Sequence, residues 1–255
     1  MPSEKQPLSS SELALLSEAF PDPLKFAEAA ARAENGEPIA YITGEQAFFR
    51  EIYFVTPDVL IPRPDTERVA EKAIEWLKRF GDGARMLDLC TGSGCIAVSV
   101  FRNSPCRVRI DAADISEAAL AVARRNAERY SAEIPFYKLD VTDESAASAL
   151  VPGRKWDVIV SNPPYIDSAV IDTLDSSVKD HEPTLALDGG FDGMRFYRAI
   201  MDNFAARLSE RGVFVFEIGY DQREKIISEA KARGFVCDVT KDWGGNDRAA
   251  VIRSK

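Results

Sequence analysis

The sequence has few of the residues that build metal sites or disulfide frameworks. Its 255 residues include one histidine, His181, and four cysteines, none of them in a Cys-x-x-Cys pair. Structural zinc sites use closely spaced cysteine and histidine ligands, and disulfide frameworks use paired cysteines. The sequence therefore argues against both, and we expect no bound metal and a chain that works in the reducing cytoplasm.

Long apolar runs and an excess of positive charge are also missing. No stretch approaches the ~20 apolar residues of a membrane span, and the first residues lack the basic region and apolar core of a signal peptide. The formal net charge of −9 makes the chain a poor generic binder of phosphate backbones. We expect no membrane and no stable nucleic-acid partner, but a small-molecule cofactor, a basic protein partner and a monomeric chain.

Strand and helix patterns alternate from Arg85 onwards. Apolar runs at 86–89, 108–113, 134–139, 156–160 and 213–218 predict strands, and most are separated by segments with helical spacing of apolar residues. This alternation is typical of an α/β fold with a doubly wound, mostly parallel sheet. The last two predicted strands, 235–239 and 249–252, have a short connection, which indicates an antiparallel edge pair in a seven-stranded sheet.

The residues before this region predict a smaller unit. Ser9 and Glu12 have the spacing of a capping box, so a helix is expected up to Phe20. A second helix is expected over 24–34, and the apolar runs at 47–49 and 52–55 predict a hairpin. We divide the chain into a helical segment (1–40), a β-hairpin linker (41–64) and a catalytic domain (65–255).

The turn after the first strand of the domain carries small residues, in the order Cys90, Thr91, Gly92, Ser93, Gly94. Small residues let the backbone approach a ligand, and the following helix offers free N–H groups. Two acidic residues end the next two strands. Asp114 is placed to accept both hydroxyls of a ribose. Asp140 is placed to reach an adenine edge, with a helix cap as its alternative role.

The same turn separates two classes of cofactor. A nicotinamide dinucleotide needs a third glycine, but Ala97 and Val98 stand at that spacing. Asp88 directly precedes the turn, where its charge would repel a pyrophosphate and would suit the cationic methionine part of S-adenosylmethionine. Asp88 capping the turn is the alternative. We therefore predict S-adenosylmethionine as the cofactor and S-adenosylhomocysteine as the product.

The most informative motif is Asn162-Pro163-Pro164-Tyr165, which follows the predicted strand 156–160. The two prolines stiffen the loop, because each fixes φ and lacks an N–H group. The Asn162 amide and the Pro163 carbonyl are suited to bind a substrate amide or amino group, and the Tyr165 ring to cover it. Open α/β sheets bind ligands at this end of their strands. We expect Asn162, Pro163 and Tyr165 to be catalytic and residues 162–165 to bind substrate.

The order of these motifs resembles that of class I S-adenosylmethionine-dependent methyltransferases. More narrowly, the chain is similar to the glutamine methyltransferases of translation release factors, the PrmC/HemK family. The resemblance rests on Ile-Pro-Arg-Pro-Asp-Thr-Glu at 61–67, the turn at 87–94, Asn-Pro-Pro-Tyr, Glu182-Pro183, Phe-Glu-Ile-Gly at 216–219 and Asn-Asp-Arg at 246–248. It implies that residues 90–94, Asp114, Val141 and Asn162 line the cofactor, and that residues 162–165 hold a glutamine of the release factor.

Two features depart from that family. Cys90 replaces the first glycine of its glycine-rich turn, which leaves binding intact only if the backbone there is not left-handed. The helical segment before Gly36 is shorter than the family's N-terminal domain, which affects the expected grip on the partner. Three alternatives stay open: amino-methylation of adenine or cytosine in nucleic acid, methylation of a ribosomal-protein glutamine, and a cofactor-binding module without catalysis.

Overall fold

Residues 7–255 are described by a computed structural model, without the side chains of residues 146 and 149. The chain starts with helices α1 (Ser10–Ala19), α2 (Pro23–Glu34) and α3 (Ile39–Thr43). Ser9 and Glu12 form the predicted capping box at the start of α1, where the Ser9 N–H donates to the Glu12 carboxylate over 2.7 Å. The short α3 was not predicted, because two of its five residues are isoleucines that pattern reasoning favours in strands.

A two-stranded hairpin follows, made of β1 (Glu45–Phe48) and β2 (Glu51–Phe54). Its apolar face packs on the main domain rather than on the N-terminal helices, since Phe48 and Tyr53 are buried in the larger core. The Asn126 side chain bonds both the N–H and the carbonyl of Phe54, over 2.7 and 2.9 Å. The N-terminal helices have a small apolar cluster of their own, but the division at residue 40 stays a prediction.

The main domain is built on a seven-stranded sheet, as predicted. Its strands are β3 (Ala84–Leu89), β4 (Val108–Asp114), β5 (Phe136–Lys138), β6 (Trp156–Ser161), β7 (Leu208–Glu217), β8 (Phe235–Lys241) and β9 (Asp247–Ser254), in the order β5-β4-β3-β6-β7-β9-β8. The first five strands run parallel. The antiparallel strand β9 lies between β7 and β8 and pairs with both. The antiparallel pairing thus extends beyond the predicted edge pair.

Helices cover both faces of this sheet. One face carries α4 (Glu67–Phe80), α5 (Cys95–Asn103) and α6 (Glu117–Arg129), and the other carries α9 (Arg195–Phe204) and α10 (Arg223–Ala232). Two short helices, α7 (Ala146–Ala149) and α8 (Ser176–Lys179), lie in the connections flanking β6. Strand residues alternate between the two cores: Val158 and Val160 pack on one side and Ile159 on the other. Burial on both faces explains why the central strands read as continuous apolar runs.

The winding of the sheet reverses beside β3. The chain goes from β3 outward to β4 and β5, and then returns to place β6 on the other side of β3. Crossover connections therefore leave β3 and β6 toward opposite ends of the sheet, which opens a crevice at the carboxyl ends of these strands. Both the small-residue turn and the Asn-Pro-Pro-Tyr loop follow these two strands.

Candidate active site

A cavity of about 320 Å³ lies in this crevice. That volume is within the range of small-molecule sites, which begins at ~300 Å³. Its walls come from segments that are distant in sequence but meet at the carboxyl edge of the sheet. They are residues within 57–66, 90–96, 114–119, 139–142 and 183–186, together with Asn162, Pro164, Arg195 and Phe196.

The turn after β3 has the backbone of a ligand-binding loop. Cys90, Gly92 and Gly94 all have positive φ, at 58°, 54° and 77°. A side chain at Gly94 would place its Cβ 3.1 Å from the Ala123 Cβ, so glycine lets α6 pack closely against the turn. The Asn126 amide also donates to the Ser93 carbonyl over 2.9 Å. The turn is therefore held by α6 and, through Asn126, by the hairpin.

Asp114 stands at the cavity wall at the end of β4. Its Oδ2 accepts from the Gly92 N–H and its Oδ1 from the Ser116 N–H, both over 2.9 Å. Burial raises the pKa of this carboxyl, while the backbone N–H groups lower it. Each carboxylate oxygen has a second acceptor position, so the rigidly held group retains capacity to bind hydroxyls.

Asp88 lies beneath the turn and is fully buried. Its Oδ2 accepts from the Thr91 hydroxyl over 2.6 Å, whereas Oδ1 has no hydrogen-bond partner among residues 7–255. Burial raises the pKa of Asp88 to about 7. The bond with Thr91 matches the turn-capping alternative, and Asp88 is not part of the cavity wall. Its contact with a ligand stays a prediction.

Asp140 and Val141 follow β5 and both line the cavity. The Asp140 carboxylate accepts from the N–H and the hydroxyl of Thr142, over 2.8 and 2.7 Å. These bonds close a turn rather than cap a helix, since α7 begins only at Ala146. The Val141 carbonyl accepts from the Asn203 amide over 2.9 Å, which ties this wall to α9.

The Asn-Pro-Pro-Tyr loop directly follows β6. Asn162 and Pro164 line the cavity, whereas Pro163 and Tyr165 do not. The Tyr165 hydroxyl instead donates to Glu217 at the end of β7, over 3.2 Å. The backbone carbonyl of Tyr165 accepts from the Gln222 side-chain amide over 2.8 Å. We expected the Tyr165 ring to cover a substrate amide, but here it packs against the apolar core on the α9 side of the sheet.

Glycines let a second segment press against this loop. A Cβ on Gly193 would lie 2.3 Å from the Tyr165 carbonyl oxygen, and one on Gly189 would lie 2.6 Å from the Tyr165 Cα. The Gly189 N–H also donates to the Ile166 carbonyl over 2.7 Å. The prolines stiffen the loop locally, and these contacts fix its place against the sheet.

An ion pair with a buried glutamate lies beside the cavity wall. Arg63, which precedes α4, bonds to the carboxylate of Glu182. Glu182 is 5% exposed and its second oxygen accepts from the Ile61 N–H over 3.2 Å. The pair joins the segment before α4 to the segment around Pro183, and both contribute to the cavity wall.

Other site classes find no support in the part of the chain that the structure describes. Over residues 7–255, no three metal-ligating side chains of His, Cys, Asp or Glu come together. No helix within those residues combines the length and apolarity needed to cross a membrane. The cavity at the carboxyl ends of β3 and β6 is therefore the candidate active site.

Comparisons with known proteins agree with this geometry. Residues 73–189 match the family model described as the methyltransferase small domain. A release factor glutamine methyltransferase from Geobacter sulfurreducens is 38% identical over 219 residues, which are 86% of this chain and 74% of the relative. Another from Koribacter versatilis is 41% identical and covers 86% of this chain and 72% of its own length. The chain belongs to the release factor glutamine methyltransferase family.

The fold is also that of more distant methyltransferases. A methyltransferase from Pyrococcus furiosus superposes with a TM-score of 0.58 at 18% identity, over 79% of this chain and 87% of its own. Similarity at that identity concerns the fold alone. It agrees with the doubly wound sheet predicted from the alternation of strands and helices. That this chain is a methyltransferase rests on the relatives and the family model.

The structure brings most of the predicted site residues to one cavity. Those that line it are Cys90, Thr91, Gly92, Ser93, Asp114, Asp140, Val141, Asn162 and Pro164. Those that do not are Asp88, Gly94, Pro163 and Tyr165. The site predictions missed the wall formed by residues 57–66 and 183–186. The motifs at 61–67 and at Glu182-Pro183 were the signal, since they support the family resemblance without having a role in the predicted sheet.

Cys90 needs a correction. The expectation that cofactor binding tolerates cysteine at this position depends on a backbone that is not left-handed, but the φ of Cys90 is 58°. A non-glycine residue in that region is strained by roughly 1–3 kcal/mol. Cys90 therefore adopts a left-handed backbone at a cost in stability.

Proposed function

We propose that this enzyme transfers a methyl group from S-adenosylmethionine to the side-chain nitrogen of the glutamine in the Gly-Gly-Gln motif of a translation release factor. The observation that carries the proposal is the position of Asn162 beside a cavity built from the glycine-rich turn and Asp114. The names of the relatives support the substrate.

The cavity suits S-adenosylmethionine in three respects. Asp114 offers a fixed carboxylate for the ribose hydroxyls. The positive φ values at Gly92 and Gly94 leave the backbone of the turn open to close approach. The Asp88 carboxyl lies buried beneath the turn and outside the cavity wall, so it would act on a cationic group through its charge rather than by direct contact. Asp140 and Val141 would then face the adenine.

When bound, S-adenosylmethionine supplies a methyl group on a sulfonium sulfur and is released as S-adenosylhomocysteine. The residues of this chain must orient a weak nucleophile, because the lone pair of an amide nitrogen is delocalised. The Asn162 side chain and the Pro163 carbonyl would accept the two N–H groups of the glutamine amide. These bonds fix the nitrogen and stabilise the positive charge that develops on it before a proton is lost.

The state of the cysteines indicates the compartment in which the reaction takes place. All four cysteines are free thiols, and Cys95 is buried in the core. Unpaired thiols persist in a reducing compartment. We therefore propose the cytoplasm, where translation release factors act.

The test is methyl transfer from labelled S-adenosylmethionine to a peptide carrying Gly-Gly-Gln, followed by mass spectrometry. We expect the label on the glutamine nitrogen and none on peptides carrying Gly-Gly-Asn. Asn162→Ala should lower kcat on the order of 10²–10³-fold, as removal of one preorganised group does, with a much smaller effect on cofactor binding. Asn35→Ala, at the exposed end of α2, is the matched control.

Cofactor binding is measured separately by calorimetry. Asp114→Ala should weaken S-adenosylmethionine binding by ~1–3 kcal/mol, the loss of a charged hydrogen-bonding group. Tighter binding of NAD than of S-adenosylmethionine would overturn the cofactor. Methylation of adenine or cytosine in an oligonucleotide, with an unmodified peptide, would overturn the substrate.

A further inference from the structure

The orientation of the Asn162 amide decides what it offers to a substrate. Its Nδ2 donates to the Thr66 hydroxyl oxygen over 3.4 Å. A flipped amide would instead present Oδ1 to Thr66, because a hydroxyl can donate as well as accept. The flipped form would turn an N–H donor toward the N–H groups of the glutamine. Something must therefore prevent Thr66 from donating to Asn162.

Thr66 has a free hydroxyl at a buried position. It is 2% exposed and directly precedes α4, where a threonine commonly caps the helix with its side chain. Here the side chain makes no capping bond. The hydroxyl proton is therefore available to another acceptor.

Glu217 provides a buried acceptor. It ends β7, the neighbour of β6, and is 2% exposed. Its Oε1 accepts from the Tyr165 hydroxyl, whereas its Oε2 has no partner by distance and angle within residues 7–255. Burial raises the pKa of Glu217, and the adjacent Thr66 hydroxyl opposes that rise. Thr66 contacts Asn162 and Glu217 contacts Tyr165, so both side chains lie buried at the base of the same loop.

We propose that the Thr66 hydroxyl donates its hydrogen bond to Glu217 Oε2, so that Thr66 can only accept from Asn162 and the Asn162 oxygen is held toward the substrate amide. Thr66 and Glu217 are then positioning residues that act through Asn162. This inference rests on the proposed function, since it explains how Asn162 keeps an acceptor facing the glutamine.

Charged groups around Glu217 keep it suited to this role. Arg248 on β9 is 8% exposed and its positive charge lowers the pKa of Glu217. Arg248 is itself held by Asp242 and Asp65, each over 3.3 Å, and donates to the Ile218 carbonyl over 3.2 Å. A carboxylate that is ionised can only accept hydrogen bonds. The charge of Arg248 favours the ionised form of Glu217 against the effect of burial, and in that form Glu217 can only accept from Tyr165 and Thr66.

The decisive variant is Thr66→Val, which keeps the shape of the side chain and removes the hydroxyl. We expect kcat for the Gly-Gly-Gln peptide to fall roughly 10–100-fold, as misorientation of a reacting group does. The KM for the peptide and the affinity for S-adenosylmethionine should change much less. Thr66→Ser restores the hydroxyl and should recover most of kcat. Thr240→Val, on strand β8, is the matched control for the substitution itself.

A second set of variants separates positioning from structure. In an Asn162→Ala background, Thr66→Val should have no further effect on single-turnover transfer, because there is no amide left to orient. Glu217→Gln should lower kcat, since glutamine can donate to Thr66 and reverse the direction of the bond. Adding Thr66→Val to Glu217→Gln should lower kcat no further.

The outcomes are distinct. Wild-type kcat in Thr66→Val, no rescue by Thr66→Ser, or a full Thr66→Val effect in the Asn162→Ala background would each overturn the inference. Failure of the wild-type enzyme to methylate the peptide would overturn the proposed function instead.

Discussion

Asp88 offers a prediction whose magnitude follows from its burial. The side chain is 0% exposed, bonds the Thr91 hydroxyl through one oxygen, and has no partner for the other within residues 7–255. Burial raises its pKa from 3.8 to about 7. The folded protein therefore holds a proton on Asp88 more tightly than the unfolded chain does. This contribution to stability is fully present below about pH 4 and is lost as pH rises through 7.

The perturbation is Asp88→Asn, which keeps the shape and removes the titration. A difference of about three pH units corresponds to roughly 4 kcal/mol at 1.36 kcal/mol per unit. The free energy of unfolding of the wild type should therefore fall, relative to that of Asp88→Asn, by up to roughly 4 kcal/mol between about pH 4 and pH 8. A pH-independent difference in unfolding free energy between the two proteins does not test the prediction, since the amide makes different hydrogen bonds from the carboxyl.

The assay is urea unfolding at a series of pH values, with equal m-values required for the comparison. Asp82→Asn is the matched control, because the Asp82 side chain is 61% exposed. Its difference from the wild type should not vary in this way. A difference between wild type and Asp88→Asn that stays constant across the pH range would refute the reasoning.

Proton release on cofactor binding distinguishes the two predicted roles of Asp88, which are contact with the cofactor and capping of the turn. If Asp88 faces the cationic part of S-adenosylmethionine, binding near pH 6 to 7 should release a proton, because a positive charge favours the ionised carboxyl. Calorimetry in buffers of different ionisation enthalpy measures that proton. Its absence in both wild type and Asp88→Asn would leave Asp88 with the turn-capping role alone.

Three further predictions concern the frame of the site. Gly193→Ala should destabilise the protein by more than ~2 kcal/mol and lower kcat, since its Cβ would collide with the Tyr165 carbonyl. The control is Gly245→Ala, because Gly245 has a similar positive φ but open space around it. That variant should cost only ~1 kcal/mol in urea unfolding. Cys90→Gly should change the free energy of unfolding by less than ~1 kcal/mol, because relief of backbone strain offsets the added freedom of the unfolded chain. Calorimetry should find unchanged cofactor affinity. A large loss of stability or of affinity would contradict the inference that the backbone at Cys90 is strained. Glu182→Gln should reduce the free energy of unfolding by roughly 1–3 kcal/mol, because it removes the charge of a buried carboxylate that accepts from Arg63 and Ile61. Unchanged stability and cofactor affinity would show that the pair does not hold the cavity wall.

Much of the fold could be predicted because local patterns and topology rules agree. The apolar run from Trp156 to Val160 is long enough for one buried strand, and helical spacing around it indicates crossovers. Strands connected in this way are parallel and end at the same edge. The relative position of Asp114 and Asn162 at one edge follows from that. The insertion of β9 between β7 and β8 did not follow, because pattern alone shows that two strands pair and not which neighbours they take.

The sequence by itself determined at which edge of the sheet the motifs lie, since each motif stands where an apolar strand ends. Tertiary structure decided which side chains of those motifs face the cavity. Asp88 lies near the end of β3 and Asn162 directly follows β6, yet the first is buried under its turn and the second lines the cavity. It also decided that Thr66 lies around the same site as Glu182 and Glu217, which both follow it by more than a hundred residues. Hydrogen bonds between such distant residues depend on how the helices and loops pack over the sheet, and no local spacing encodes that packing.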